Sequence, residues 1–347
     1  MQTLSLFSAG NYSVPGNTSW YLADLGEFRG KQELYTRQSP QRLKTLREHA
    51  VIESAVSSNR MEGVEVDPQR VRNVLASPKP LFRDRDEEEV RGYREALCLI
   101  HENASDMFVS EETVCRLHCL VRGQIWDAGC YKSRDGDIIE RYPDGRERVR
   151  FRPAPAIETP QYMAKLVSNW VRCLEERWVH PLIGIAAFNL DFLCIHPFRD
   201  GNGRVSRLLL LLQCQQFGYE VGRYISIERL IEHNKERYYE TLEQSFKGWR
   251  ENKHDPWPYI NFTLSILKTA YQEFAERVGD IQAPRGSKTE MILAALQRLP
   301  REFTVAQLEQ ASPGVSREMV RRVLGDQKGK IVECVGRGPG AKWIKKR

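Results

Sequence analysis

Long apolar runs, a secretory leader and paired cysteines are all missing from this chain, and each absence removes a class of protein. No window approaches the roughly 18 consecutive apolar residues of a membrane span, and the start, Met1 to Ser8, has no basic region followed by an apolar segment. A cytoplasmic location is expected. The eight cysteines (98, 115, 119, 130, 173, 194, 214 and 334) are scattered through helix-like stretches without a C-x-x-C pair, which reads as reduced, mostly buried thiols. Cys115, His118 and Cys119 share a helical face, but no second Cys/His pair stands at ligand spacing, so a core role is favoured over a metal. A strong excess of one charge is also lacking: the net charge is +6. From Arg285 onward, 14 Lys and Arg stand against 6 Asp and Glu, which leaves −2 for the first 284 residues and places any basic partner surface at the C-terminal end.

What is present is enough for a large core and two domains, since single cores rarely grow past about 250–300 residues. Residues 1 to about 40 hold Pro15, Gly16, Gly26, Gly30 and Pro40 among mixed polar and aromatic residues, so an irregular arm is expected. From Arg42 to Met61, Leu43, Leu46, Ala50, Val51, Ala55 and Val56 recur at helical spacing, with Gly63 as the stop. A short helix before Phe82 and a longer one from Arg83 to Ile100 follow. The run Asp86 to Glu89 reads as an acidic first turn favoured by the helix dipole, and Ser110 as the cap of a helix running to about Trp126. Ile138-Ile139 and Val149-Arg-Phe151 flank Pro143-Asp-Gly145, a hairpin pattern in an otherwise helical chain.

The chain is organised around His196-Pro-Phe-Arg-Asp-Gly-Asn-Gly-Arg-Val-Ser-Arg207. Pro181 to Ile195 before it and Arg204 to Phe217 after it read as helices joined by a tight loop. The turn Gly201-Asn202-Gly203 can aim successive backbone N–H groups into one hollow, to which the next helix adds its own free N–H groups and positive dipole end. An anion belongs there. Arg204 and Arg207 in the first turn can reach over that hollow, and guanidinium forks suit phosphate oxygens. Arginine at a helix start opposes the dipole, so helix stability did not place them. Asp200 could hold a Mg²⁺ bridging two phosphate oxygens, His196 could take a proton from an attacking hydroxyl, and Phe198 is expected to point inward and pin the loop.

This string resembles, without a mismatch, the HxFx(D/E)GNGRxxR signature of the Fic (Fido-fold) family. The resemblance implies transfer of AMP from ATP to a Ser, Thr or Tyr hydroxyl of a target protein. It implies His196 as base, Asp200 on the metal, Gly201, Asn202 and Gly203 around the phosphates, and Arg204 and Arg207 on them. Gly203 is retained where phosphorylating relatives carry Lys, which implies attack on the α-phosphate with release of pyrophosphate. Ser58-x-x-x-Glu62-Gly63 is similar to the family's (S/T)xxxE(G/N) inhibitory motif, which implies that Glu62 pairs with Arg207. A carboxylate there occupies the guanidinium meant for the terminal phosphate and repels the triphosphate. The same Glu62 could instead position a water that removes AMP from modified targets. The hairpin resembles the Fic flap, which aligns a target segment by its free edge, placing Ile138 and Ile139 near the nucleotide. Tyr238 and Tyr239 stand where relatives often place a Tyr pair, and Phe246 where some carry an Asn.

After a Pro/Gly-punctuated linker, residues 288–347 have their own pattern: three helices, a turn at Ser312-Pro-Gly314, and a hairpin around Gly-Arg-Gly-Pro-Gly. This is the pattern of a winged helix. Ser316 would cap its third helix, with Val320 and Val323 inward and Arg317, Arg321 and Arg322 outward, suited with the basic tail to DNA phosphates or groove edges, although winged helices also dock proteins. The expectation is a mainly α protein with an N-terminal arm and inhibitory helix at 1–85, a Fic core with β-hairpin flap at 86–279, a linker at 280–287 and a winged helix-turn-helix domain at 288–347. Its expected activity is Mg²⁺- and ATP-dependent protein adenylyl transfer, with autoinhibition. The rival is a nucleotide-sensing DNA-binding regulator. A hydroxyl-bearing target protein, the chain itself as target, DNA and a second copy of the chain are the partners these expectations imply.

Overall fold

The computed structural model describes residues 3–10, 12–36, 40–77, 81–141, 146–282, 287–312, 315–336 and 341–346. The chain divides into two compact units, Met1–Ala275 and Glu276–Arg347. The first begins with α1 (Thr3–Phe7), α2 (Gly16–Thr36), α3 (Pro40–Met61), α4 (Val71–Ala76), α5 (Arg85–Asn103) and α6 (Glu111–Arg122). A hairpin of β1 (Ile138–Arg141) and β2 (Glu147–Phe151) precedes α7 (Thr159–Glu175), α8 (Pro181–Ile195), α9 (Asn202–Gln216), α10 (Ile227–His233), α11 (Lys235–Phe246) and α12 (Trp257–Gln282), whose end enters the second unit.

Helix α8 is the axis of the first unit. Every residue from Leu182 to Ile195 is buried, because the sequence is apolar on all sides of the helix. Helices α1, α7, α9 and α11 surround it. Its two polar residues are satisfied: Asn189 donates to the Ser206 carbonyl at 2.6 Å, and Asp191 accepts from the Thr3 and Leu4 N–H groups (2.7 and 3.1 Å) and from Trp249 Nε1 (2.7 Å). Burying a carboxylate costs several kcal/mol unless it is bonded in this way. Helix α3 stops where expected, with Gly63 at φ 80°, and Ser110 caps α6 by accepting from the Thr113 N–H at 3.1 Å. The hairpin is antiparallel, with a register shift between Ile138 and Ile139. The expected Pro143-Asp-Gly145 turn lies outside the described residues.

One expectation is corrected and a second is extended. The N-terminal region is a 21-residue helix, α2, rather than an irregular arm. Gly26 and Gly30 each weaken a helix by about 1 kcal/mol, but tertiary contacts outweigh that cost. Leu25 is fully buried, Phe28 stacks on Tyr271 at 5.6 Å, Asp24 pairs with Lys268 at 2.6 Å, and Gln32 Oε1 accepts from the Tyr271 hydroxyl at 2.7 Å. The second concerns the acids opening α5. Asp84 caps this helix and Asp86, Glu87 and Glu88 form the expected acidic first turn, but Glu87, like Glu89 after it, is buried. Glu87 takes Arg70 Nη2 and the Arg83 N–H, each at 2.8 Å, and those bonds, against the opposing effect of burial, hold its carboxyl at about 2.

The second unit contains α13 (Ser287–Arg298), β3 (Glu302–Thr304), α14 (Val305–Ala311), α15 (Arg317–Gln327), β4 (Val332–Val335) and β5 (Lys342–Lys345). The strands form an antiparallel sheet in the order β3-β5-β4, so the expected hairpin gains a short strand that sequence patterning missed. Ile292, Leu296, Phe303, Leu308, Val320, Val323, Leu324 and Val332 form its core, leaving Arg317, Arg321 and Arg322 exposed on α15. Residues 313–314, 337–340 and 347, on which two expected turns and the end of the basic tail fall, are outside the described residues, as are 283–286 of the linker. Among the described residues no helix is long and apolar enough to cross a membrane.

Candidate active site

The loop between α8 and α9 is built to hold one shape. His196 ends α8 in the left-handed region (φ 51°, ψ 63°), its N–H still bonded to the Phe192 carbonyl at 2.9 Å. Few residues other than glycine adopt this conformation, and where they do the surrounding structure enforces it. Asn202 closes the loop: its Oδ1 accepts from the Phe198 N–H at 2.9 Å and its Nδ2 donates to the Phe198 carbonyl at 2.8 Å. The Asn202 side chain is thus buried and committed to the turn. Phe198 points inward, as expected, and stacks flat on His118 with centroids 3.7 Å apart. Gly201 sits at φ 83°, which a side chain would strain.

The charges around the loop divide into two groups. Arg207 is buried, its Nε donating to Ser58 Oγ at 2.8 Å and its Nη2 to the Ser58 carbonyl at 2.9 Å and to Glu62 Oε1 at 2.7 Å. Ser58, Glu62 and Arg207 are thus brought together at the end of α3, and the Glu62 partner raises Arg207 above its ordinary value against the lowering effect of burial. The Glu62 carboxylate also lies on the glycine turn: a Cβ at Gly203 would sit 2.1 Å from Glu62 Oε1. Arg204, by contrast, does not reach over the hollow. It is buried, bonded to Glu89 and, at 3.1 Å, to Asn59 Oδ1. An arginine with a buried carboxylate beside it is drawn inward, because neither charge tolerates burial alone.

Asp200 keeps about half of its side chain in solvent while Oδ2 accepts from Arg122 Nη1 at 2.6 Å and Oδ1 from the Gly201 N–H at 2.6 Å. Burial raises its carboxyl, but Arg204, Arg122 and the Gly201 N–H outweigh that effect and leave it below the ordinary value. It stays ionised. Among the described residues no group of three His, Cys, Asp or Glu is placed to hold a metal. Asp200 presents a single carboxylate that solvent reaches. His118 offers no metal site with Cys115 and Cys119: its Nδ1 accepts from the Gly129 N–H at 2.8 Å and its Nε2 faces the Asp200 carbonyl at 2.9 Å.

His196 stands in the wall of two cavities. One, of about 490 Å³, is also lined by Glu62, Gly203, Ile138, Ile139, Tyr238 and Tyr239, so the hairpin and tyrosine residues converge on it. Tyr238 is almost wholly buried in its wall, and Tyr239 lies beneath the Arg150 guanidinium, 5.0 Å from the ring centre. The other, of about 640 Å³, lies along Tyr131 to Ile138 and Phe198-Arg199. Burial, reinforced by Lys132, lowers the imidazole to about 4 against the opposing pull of Glu62, so it is neutral at neutral pH and able to accept a proton.

Sequence reasoning missed the layer beneath the loop. Glu89 takes Arg122 Nη1 at 2.7 Å as well as Arg204, and Lys132 ties the segment after α6 to α8 through Nζ to the Ile195 carbonyl at 3.0 Å and its N–H to the Pro197 carbonyl at 2.8 Å. Arg150, Lys235 and Glu243, which line the first cavity, were also unanticipated. None of these carries a local signal. They come from helices and strands far apart in sequence.

A helical core whose central helix pair brings His196 and Gly203 to one cavity walled by a β-hairpin defines the class: a Fido-type fold. Residues 108–214 match the model of the Fic/DOC family. It resembles a protein adenylyltransferase Fic from Nematostella vectensis, at 27% identity over 184 residues covering 51% of this chain and 37% of that protein. The chain thus spans little more than a third of that relative's length. At the level of fold it resembles a Fic family protein from Desulfovibrio desulfuricans G20 (TM-score 0.62, 24% identity, 96% of this chain and 97% of that one). A Fic domain-containing signaling protein from Bacteroides thetaiotaomicron is also similar (TM-score 0.61, 22% identity, 74% of this chain and 97% of that one).

Proposed function

We propose that the chain is a protein adenylyltransferase that moves AMP from ATP to a hydroxyl of a target protein, itself included, and that Glu62 restrains it. The Fic domain supports a nucleotidyltransferase role. The observation that carries the reading is the neutral His196 in the wall shared by two cavities, one of which leads to Gly203 and Glu62 over Arg207. The nucleotide occupies the first cavity, its base beneath Ile138, Ile139 and Tyr239 and its phosphates on the Gly201–Gly203 turn. The acceptor hydroxyl enters from the second, aligned along the hairpin edge. His196 takes the hydroxyl proton, the oxygen bonds to the α-phosphorus, and the bond to the bridging oxygen of the β-phosphate breaks to release pyrophosphate. Arg207 receives the terminal phosphate once Glu62 has left. Asp200 would hold Mg²⁺, which when bound neutralises phosphate charge. Catalysis is mainly positioning and charge stabilisation.

The test is incubation of wild type and Glu62→Gly with Mg²⁺ and ATP labelled at the α- or, separately, the γ-phosphate, followed by intact mass. A gain of one AMP from the α-label, larger in the variant, is expected. Transfer of the γ-label would refute the assignment. Loss of AMP from a pre-modified target, abolished by Glu62→Gly, would instead assign Glu62 to hydrolytic removal of AMP by a water it positions.

A second reading concerns residues 288–347, a unit we read as a winged helix. The exposed Arg317, Arg321 and Arg322 on one helix support contact with DNA phosphates. Salt-dependent binding to duplex DNA that disappears on deletion of residues 285–347 is expected, with AMP transfer retained.

A further inference from the structure

Helix α6 reaches the active loop with two side chains one turn apart. Arg122 grips the Asp200 carboxylate, and His118 faces the Asp200 main chain, its Nε2 2.9 Å from the carbonyl oxygen. The tautomer follows from the partners. Nδ1 accepts the Gly129 N–H at 2.8 Å, so the proton sits on Nε2 and is donated to Asp200. The same ring is the surface on which the loop rests. Phe198 lies parallel to it, within 3°. A Cβ at Gly201 would come within 3.4 Å of its Cδ2 and Nε2. One imidazole thereby fixes the residues on both sides of Arg199 and Asp200.

Building on the Fic reading, we propose that His118 is a positioning residue for the divalent cation. By holding the Asp200 carbonyl it sets the direction in which the Asp200 carboxylate points, and so the affinity for a metal–nucleotide complex. It touches neither nucleotide nor metal. Packing alone would be served by any flat ring at this position. The added content of the proposal is that the hydrogen bond matters.

His118→Phe retains the ring and its stack on Phe198 but removes the bonds to Gly129 and Asp200, whereas His118→Gln can restore a donor toward Asp200. The experiment uses the full chain in the Glu62→Gly background. It measures ATP binding by calorimetry with Mg²⁺ and with EDTA, and Mn²⁺ binding in the presence of ATP by electron paramagnetic resonance. Loss of a partner that orients a metal ligand costs about 10–100-fold in metal affinity. His118→Phe is accordingly expected to weaken Mg²⁺–ATP and Mn²⁺ binding by about tenfold or more, to leave metal-free ATP binding within about twofold, and to be partly rescued by His118→Gln. Equal losses with and without metal in both variants would make His118 a general part of the fold and overturn the proposal. ATP affinity that ignores Mg²⁺ before His118 is changed would overturn the metal role of Asp200, and the proposal with it. Metal-dependent binding that His118→Phe leaves intact would overturn the proposal alone.

Discussion

Replacing Glu62 with Gly removes one of three groups that hold the Arg207 guanidinium. The other two, Ser58 Oγ at 2.8 Å and the Ser58 carbonyl at 2.9 Å, remain, so the guanidinium keeps its place while its charge is freed. A hydrogen bond to a charged group nets about 1.5–3 kcal/mol. Because the Glu62 side chain is still 26% exposed, the lower part of that range, about 1.5–2 kcal/mol, applies. If the paired state is favoured by that amount, only a few per cent of molecules present a free Arg207. The apparent affinity for ATP is then reduced by the same fraction, roughly 10–30-fold. Glu62→Gly should restore it. Calorimetric ATP binding and AMP incorporation from the α-label should both rise by about that factor, while the unfolding temperature falls by a few degrees. An affinity and an incorporation rate within about twofold of wild type would refute the reasoning that this pair restrains the site.

Gly203→Ala drives a methyl group against the same carboxylate, 2.1 Å from Glu62 Oε1, and so should break the pair, yet it fills the phosphate turn. AMP transfer should therefore stay low even in the Glu62→Gly background, as a labelling assay would read. His196→Ala should abolish incorporation while retaining most ATP binding. Because the imidazole titrates near 4, the alkaline-to-neutral plateau of transfer should fall only as pH approaches that value. Acid should also weaken the fold. His101, His118, His196 and His254 are each lowered to about 4, in every case chiefly by burial, from an ordinary 6.5. The unfolded chain binds more protons between those values, so stability present above pH 6.5 is lost as pH falls toward 4, which thermal melts across that window will show. Glu89→Gln leaves Arg122 and Arg204 facing a neutral amide, and a drop of about 3 kcal/mol in unfolding free energy is expected from denaturant titration.

Local chemistry was legible in the sequence, whereas pairing over distance was not. The helices on either side of the loop, the inward Phe198, the Gly63 stop and the Ser110 cap follow from apolar spacing and from residues whose backbone or hydrogen-bonding preferences act within a few positions. The loop residues stood out because charge, glycine and histidine crowd twelve positions. Arg204 shows the limit. Its place in the first turn of α9 suggests a side chain over the hollow, but Glu89, 115 positions away, draws it beneath the loop. Glu89 itself read only as the last acid of a first-turn run, Asp86 to Glu89. Helix α2 was hidden for a similar reason: its glycines spoke against a helix, and the contacts of Asp24, Phe28 and Gln32 that outweigh them come from other segments of the fold.

The Glu62 carboxylate and the glycine turn on which it rests belong to one chain. Their encounter is intramolecular, so the local concentration of the restraint does not fall on dilution, and its ratio to the active loop stays at one however much protein is made. On the proposed role of Glu62, keeping the site quiet requires no inhibitor synthesised in step. The corollary is that release must act on the last turn of α3 or compete at Arg207 with more charge than a single carboxylate carries. A nucleoside triphosphate is such a competitor, and the restraint would then make the protein's activity follow the supply of its own donor.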